Sequence, residues 1–306
     1  MTSSDTENAA SNKGTKALVA LFAAFFAFIF LGGVGGWLGN IIGDTFYGVN
    51  IFDITQKAGG APLIFEERQA IRWSNLIAHI LGFTGAALLV TFFLLSSKVG
   101  KSLGLNQRIK PSTILWSVIA LFVSFPFVQL IIQLNLLLPL PEYIANMGNS
   151  QDWLVAEVLH IESFNEFFFV LIVAAVVPAI GEELLFRGLI QKQFETILRS
   201  PHAGIWITAI LFSAIHLQFA GFFPRLFLGA FLGYLYYWSG SIWLPILIHF
   251  LFNGLQVLAT YLYPEMINNT ATDAPLEWSG ILIGLGAALL LVPLFGKIKS
   301  SSLIKG

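Results

Sequence analysis

The sequence has no cysteine among its 306 residues. That absence excludes thiol nucleophiles, disulfides and thiolate ligands to a metal ion. Charge is also scarce, because Asp, Glu, Lys and Arg make up 11% of the chain, against about 25% in an ordinary soluble domain. The net charge of −1 at pH 7 supplies no basic field for a polyanion, so we expect no nucleic-acid partner.

Apolar residues are what the chain has in excess. The hydrophobic fraction is 56% and the mean hydropathy is +0.78, which indicates a polytopic membrane protein. Eight apolar runs are long enough, or nearly so, to cross a bilayer: 17–39, 74–96, 113–138, 166–190, 203–219, 222–238, 242–262 and 279–295. We therefore predict an all-α fold, a polytopic transmembrane helical bundle of about eight spans that has the lipid bilayer as a partner.

The chain divides into three predicted regions. Residues 1–16 are small and polar and are predicted to be a disordered tail. Residues 17–296 form a single transmembrane domain, whose catalytic core is predicted at about 165–262. Residues 297–306 form a basic tail. No soluble domain is expected.

The distribution of charge among the loops predicts the orientation in the membrane. Basic residues of both tails, of 98–110 and of 191–202 fall on one side of an eight-span bundle, and the acidic segments 139–163 and 263–278 fall on the other. Because cytoplasmic loops carry the excess of Lys and Arg, both termini are predicted to be cytoplasmic. The exceptions are three cations in an extramembrane loop that is predicted over 40–73 and that can end in a short helix: Lys57, Arg68 and Arg72.

Two carboxylates and a guanidinium interrupt the fourth apolar run, at Glu182, Glu183 and Arg187. Each such charge at the bilayer centre costs about 2.5–3.5 kcal/mol even on the lower scale, so charges there indicate function. Glu183 and Arg187 are four residues apart with the acid first, which favours an ion pair within one helix. Glu182 lies about 100° around the helix and needs partners from other spans.

Two further polar pairs lie in later spans, Phe212 with His216 and His249 with Asn253. At 1.5 Å per residue, Glu182, His249 and His216 lie roughly 15, 12 and 20 Å from the cytoplasmic boundary, so they can meet near mid-membrane. Such a cluster suits hydrolysis, because Glu182 and His216 can take a proton from water. His249 and Asn253 share one helical face and can donate hydrogen bonds to an oxyanion.

The order of these motifs resembles the CPBP family of intramembrane glutamic endopeptidases, the CAAX protease and bacteriocin-processing family also called Abi. The matching residues lie on three apolar segments: Glu182, Glu183 and Arg187; Phe212 and His216; His249 and Asn253. The resemblance covers about 167–253 and implies an eight-helix membrane bundle. It also implies that the first Glu and first His activate water, that the second His and the Asn form an oxyanion hole, and that no metal takes part.

The resemblance leads us to expect an intramembrane endopeptidase that acts on a protein or peptide substrate and needs no cofactor. The compact form is more similar to prokaryotic members, which implies the inner cell membrane of a prokaryote. Glu183, Arg187 and Phe212 are expected to support the four catalytic residues, with Phe212 setting the rotamer of His216. His79, in the second span, has no motif around it and is predicted to be a packing or interhelical polar residue.

Three other functions stay open on the sequence alone. Two histidines and a glutamate could hold a catalytic zinc ion, although no His-Glu-x-x-His motif is present. A scaffold or immunity-type protein could keep the same fold without catalysis. A proton- or ion-coupled transporter would also carry buried Glu and His, but the chain lacks the internal repeats that such proteins commonly show.

Overall fold

The computed structural model describes residues 3–57, 61–267 and 277–302, and within those ranges the regular secondary structure is helical throughout. In chain order the helices are α1 (Ser3–Tyr47), α2 (Ile51–Thr55), α3 (Phe65–Leu95), α4 (Val99–Leu103), α5 (Pro111–Leu136), α6 (Glu142–Leu159), α7 (Phe164–Leu198), α8 (Pro201–Ala214), α9 (Phe219–Ser239), α10 (Trp243–Leu262) and α11 (Trp278–Ser302).

Seven of these helices are long and apolar enough to cross a membrane: α1, α3, α5, α7, α9, α10 and α11. Helix α8 is apolar but has 14 residues, about 21 Å at 1.5 Å per residue. The prediction of an all-α polytopic bundle is confirmed, and the eight predicted spans correspond to these eight helices. The chain is an integral membrane protein.

The segment predicted as a loop over 40–73 contains more helix than the expected short one at its end, because α1 continues to Tyr47 and α3 runs through the end of the segment. Helix α3 begins at Phe65, and Arg68 and Arg72 lie in its first turns with 4% and 0% of their surface exposed. Nη2 of Arg68 lies 2.6 Å from Glu162, and Nη1 of Arg72 lies 3.6 Å from Glu166. The helix therefore continues through both cations instead of beginning after them, and acids from the distant 162–166 segment balance their charges.

Other boundaries also differ from the expectation. The predicted acidic loop over 139–163 contains α6, and α1 begins at Ser3, inside the segment predicted to be a tail. Most of the acidic loop over 263–278 lies outside the described residues, as do 303–306 of the basic tail. The division into a tail, one domain and a basic tail stays a prediction.

Glycines allow α1 to approach α3 closely. A Cβ atom at Gly35 would lie 2.6 Å from Cα of Ala78, and one at Gly39 would lie 2.3 Å from Cα of Ser74. The two glycines are four residues apart on one face, the spacing that permits backbone contact between membrane helices. Helix α1 thus determines where α3, and with it His79, lies in the bundle.

The same device brings α3 against α7. A Cβ atom at Gly181 would lie 3.0 Å from Cβ of Phe83 and 3.0 Å from Oγ1 of Thr84. Both helices widen to π geometry beside this contact, α3 over Ile80–Gly85 and α7 over Leu184–Gln191. Such π segments inside α-helices are frequent at functional sites, and these two lie next to His79 and Glu183.

Candidate active site

One cavity of about 1250 Å³ lies inside the bundle, between α3, α5, α6, α7, α9 and α10 and the turn that follows α8. Its wall includes the four residues that the sequence predicts to be catalytic: Glu182, His216, His249 and Asn253. Most of the remaining wall is apolar, with polar side chains such as Asn75, Gln129 and Arg225 among it. The predicted site residues, which come from three different spans, therefore open on a common space.

Glu183 and Arg187 form the ion pair expected from their spacing, and both are fully buried. Nη1 of Arg187 donates to Oε1 of Glu183 at 2.9 Å, and Nη2 donates to the carbonyl of Gly229 in α9 at 2.9 Å. The guanidinium also lies 4.6 Å from the centre of the Phe212 ring. Arg187 thereby joins α7 to α8 and α9 around one buried charge.

His249 is held by the same glutamate. Its Nδ1 lies 2.8 Å from Oε1 of Glu183, and its Nε2 lies 4.0 Å from Oε2 of Glu182. Because Glu183 is paired with Arg187 and can only accept, Nδ1 must carry the hydrogen. Nε2 of His249 can then donate to an oxyanion only when the imidazole is doubly protonated, and two carboxylates lie beside the ring to balance that charge.

His216 lies just beyond the end of α8. Its Nδ1 donates to the carbonyl of Phe212, one helical turn earlier, at 2.8 Å. A carbonyl only accepts, so neutral His216 presents the lone pair of Nε2 to the cavity. The Phe212 ring lies 5.3 Å from the imidazole and 6.0 Å from that of His249, centre to centre. Phe212 thus packs against both histidines, and its supporting role stays a prediction.

Hydrogen bonds join the turn after His216 to α6, which forms part of the cavity wall. Leu217 has a φ of 55°, and Gln218 donates from its side chain to Asp152 in α6. Arg225 donates to the side-chain oxygen of Gln218 at 2.9 Å. Partial burial raises the pKa of Asp152, opposed by the hydrogen bond from Gln218 and the charge of Arg225. This network links the position of His216 to α6.

Asn253 has a structural partner as well as an open side. Its Nδ2 donates to the carbonyl of Ala174 in α7 at 3.1 Å. Pro178, four residues after Ala174, has no N–H to donate to that carbonyl. Asn253 therefore satisfies a backbone group that the proline leaves free, while its side chain still lines the cavity.

His79 is the residue that sequence reasoning assigned no role in the site. Its Nε2 lies 3.1 Å from Oε1 of Glu182, closer than the 4.0 Å between Glu182 and His249. The prediction of an interhelical polar residue is correct, but the partner is the glutamate expected to act as the base. Asn75 and His79 are four residues apart and both line the cavity, so the spacing seen in His249 and Asn253 was the available signal.

Within the described residues, no group of three His, Cys, Asp or Glu side chains is arranged to hold a metal ion. The polar side chains instead pair with one another: His79 with Glu182, and His249 and Arg187 with Glu183.

Comparison with known proteins assigns this part of the chain. Residues 164–255 match the family model described as type II CAAX prenyl endopeptidase Rce1-like. The predicted resemblance to the CPBP family is confirmed. The matched segment runs from the start of α7 into α10 and contains all seven residues that carried the resemblance, whereas His79 lies outside it.

One curated relative and the solved structures complete the comparison. The chain is 28% identical over 81 residues to the uncharacterized protein YpbD of Bacillus subtilis, an alignment that covers 25% of this chain and 38% of the relative. The chain thus matches well under half of that relative's length. No solved structure matches the chain. In general terms, the family assignment supports a CAAX-type intramembrane protease.

Proposed function

We propose that this chain is an intramembrane endopeptidase that hydrolyses a peptide bond of a protein or peptide substrate without a metal ion. The observation that carries the proposal is that Glu182, His216, His249 and Asn253 line one cavity of about 1250 Å³. A cavity of that size inside a bundle can admit an extended peptide segment and a water molecule. The family match supports a location in a membrane. The similarity to a Bacillus subtilis protein supports the cell membrane of a prokaryote.

The reaction begins with a water molecule between Glu182 and Nε2 of His216. The ionised carboxylate takes one proton as general base, while His216 orients the water through its free lone pair. The resulting hydroxide attacks the substrate carbonyl carbon, and the carbonyl oxygen becomes an oxyanion. Nε2 of doubly protonated His249 and the second N–H of Asn253 donate to that oxygen.

Collapse of the tetrahedral intermediate completes the reaction. The carbon–nitrogen bond breaks, and protonated Glu182 passes its proton to the departing amine, which regenerates the carboxylate. The water thus supplies the hydroxyl group of the new carboxylic acid and one hydrogen of the new amine. Glu183 and Arg187 touch none of the reacting atoms in this scheme, and their contribution is to hold His249 in position.

The test is cleavage by purified protein in lipid vesicles, with substrates first found by comparing membrane proteomes of wild-type cells and cells carrying Glu182→Gln. We expect Glu182→Gln and His216→Ala each to lower the rate by at least about 10², the lower end for general acid–base catalysis. Full activity in either variant would contradict the proposal. Stoichiometric zinc whose removal abolishes cleavage would favour the metalloprotease, and a cellular phenotype fully rescued by Glu182→Gln would favour the scaffold.

A further inference from the structure

Glu182 lies between two imidazoles, and only one of them belongs to the segment that matches the family. Its Oε1 is 3.1 Å from Nε2 of His79, and its Oε2 is 4.0 Å from Nε2 of His249. Glu182 is 4% exposed, so its carboxylate depends on neighbouring side chains for the stabilisation that bulk water would otherwise supply, and of these two imidazoles only His79 is at hydrogen-bond distance. His79 makes the shorter of the two contacts.

We propose that His79 is a positioning residue for Glu182, which rests on the proposed function of Glu182 as the general base. His79 donates its Nε2 hydrogen to Oε1. Oε2 therefore stays free to take the proton from water. The step moves a single proton from water to Oε2, and His79 keeps its own hydrogen throughout. After the carbon–nitrogen bond breaks, the same oxygen returns the proton to the amine.

The hydrogen bond at Oε1 matters because it determines which carboxylate oxygen acts as the base. The two oxygens of a free carboxylate are equivalent, and rotation of the side chain would direct either one towards the water. A charge-assisted hydrogen bond at Oε1 removes that freedom, because these bonds are about twice as strong as neutral ones. The oxygen that faces His249 is then the basic one whenever substrate is bound, which pre-organises the proton transfer.

The position of His79 is built by packing that reaches beyond the site. Its imidazole stacks on Phe83, with centres 4.6 Å apart and planes at 16°. Phe83 in turn lies against Gly181, the residue before Glu182, where a Cβ atom would come within 3.0 Å of it. The neighbouring Ala78 backbone is where Gly35 of α1 packs. His79 is therefore aimed at Glu182 by three helices.

Kinetics in vesicles provide the first test. We expect His79→Leu to lower kcat by about 10- to 100-fold, the range for a hydrogen bond to a charged group, with KM changed less than about twofold. His79→Gln, whose amide nitrogen can occupy the place of Nε2, should recover kcat to within about threefold to fivefold of wild type. In a Glu182→Gln background, His79→Leu should change the residual rate less than about twofold.

Two kinetic outcomes would overturn the proposal. One is a kcat for His79→Leu equal to that of wild type. The other is an equal loss from His79→Leu in the wild-type and Glu182→Gln backgrounds, which would mean that His79 acts independently of the glutamate. A loss that His79→Gln does not relieve, accompanied by lowered thermal stability, would assign His79 to packing and would also contradict the proposal.

A spectroscopic arm separates this proposal from the proposed function. The chain has five histidines, so ¹⁵N-histidine NMR of the full-length protein in detergent can be assigned by single substitutions. We expect Glu182→Gln to shift the ring nitrogens of His79 strongly and those of His202, which bonds to Tyr234, very little. An unmoved His79 signal disproves the pairing even if the protein is a protease. A shifted signal in a protein that cleaves nothing would refute the protease function alone.

Discussion

Glu182 and Glu183 are neighbours in sequence but have different surroundings. Glu183 accepts from Arg187 and His249 through one oxygen, and all of its surface is buried. Glu182 faces the cavity and contacts His79 at 3.1 Å. Glu183 therefore compensates a buried charge, whereas Glu182 is placed to meet a substrate and water.

This difference predicts opposite effects of one isosteric change at the two positions. Glu183→Gln leaves the Arg187 guanidinium buried without a counter-charge and should lower the free energy of unfolding by about 3–5 kcal/mol. Glu182→Gln keeps a carbonyl oxygen for His79 and should lower it by about 1 kcal/mol or less, while it removes activity. Denaturation in detergent measures both, and equal losses of stability in the two variants would refute the distinction.

Asn253 presents a second prediction, because it satisfies the Ala174 carbonyl that Pro178 leaves free. Asn253→Ala should destabilise the protein by about 0.5–1.5 kcal/mol, the net contribution of one hydrogen bond, because the Ala174 carbonyl is only partly buried. In a Pro178→Ala background the backbone can supply the missing N–H, so the same substitution should destabilise less. The rate should nevertheless fall by about 10²–10³ in both backgrounds, as expected for an oxyanion donor.

The Pro178→Ala single variant is the reference for this cycle of variants. A loss of stability from Asn253→Ala that is the same with and without the proline would show that the Ala174 bond does not matter. A rate that recovers together with the stability would reduce Asn253 to a structural residue. The two readouts thus report separately on the two roles.

Much of the site could be predicted from sequence, since charged and polar residues at helical spacing in apolar spans are rare. The Glu183–Arg187 pair follows from i,i+4 geometry alone. What sequence could not reveal is which partners cross between helices. His79 pairs with Glu182 because α1, α3 and α7 pack closely at glycines. The spacing of Asn75 and His79 indicates a polar face on α3, but it does not identify Glu182 as the partner.

At the scale of helices, the contact between α1 and α3 depends on individual glycines. A Cβ atom at Gly35 would lie 2.6 Å from the Ala78 backbone, whereas one at the adjacent Gly36 would meet nothing within 4 Å. Backbone atoms cannot yield as a flexible side chain can, so an added methyl at Gly35 must push the helices apart. Gly36 provides a matched control on the same turn of the same helix.

We therefore expect Gly35→Ala to destabilise the bundle by about 1–3 kcal/mol through overpacking. Gly36→Ala should be neutral or stabilise by up to about 1 kcal/mol, the difference in helix propensity. Because Ala78 precedes His79, Gly35→Ala should also lower kcat, and Gly36→Ala should not. Thermal unfolding and vesicle kinetics check both expectations, and equal behaviour of the two variants would argue against a close α1–α3 contact.

The start of α3 is a helix boundary that the sequence does not predict correctly. Polar residues around Arg68 and Arg72 predict an extramembrane segment that ends in at most a short helix, yet both arginines are buried in the first turns of the long helix α3. Their partners, Glu162 and Glu166, lie more than 90 positions later in the chain. The start of α3 depends on ion pairs with residues that are distant in the sequence. It therefore cannot be predicted from local hydropathy.

These ion pairs also bear on the orientation of the whole molecule. Arg68 and Arg72 were exceptions to the positive-inside distribution, but their charges are neutralised by Glu162 and Glu166. At the other end of α7, Nζ of Lys192 donates to the carbonyl of Ser102 in α4 at 2.6 Å, which joins the basic segment 98–110 to the basic end of α7. Two of the basic segments thus lie together, at the end of α7 opposite the ion pairs of Arg68 and Arg72.

The number of crossings leads to the same expectation for the two termini. Helix α8 is short, but α8 and α9 form an antiparallel hairpin. The chain therefore enters and leaves this hairpin on the same side of the membrane, whether or not α8 spans the full membrane. The other six long helices make six crossings. We therefore expect both termini on one side of the membrane, and the basic loops indicate that this side is the cytoplasm.

The absence of cysteine makes this orientation directly measurable, because each introduced thiol is the only one in the chain. In intact cells, Ser11→Cys and Ser302→Cys should resist a membrane-impermeant maleimide and react only after permeabilisation. Tyr143→Cys, at an exposed position of α6, should react in intact cells. Wild-type protein measures the background. Labelling of only one terminus in intact cells would mean an odd number of crossings. Labelling of both termini would show that the orientation is the reverse of the one expected, with the acidic segments in the cytoplasm.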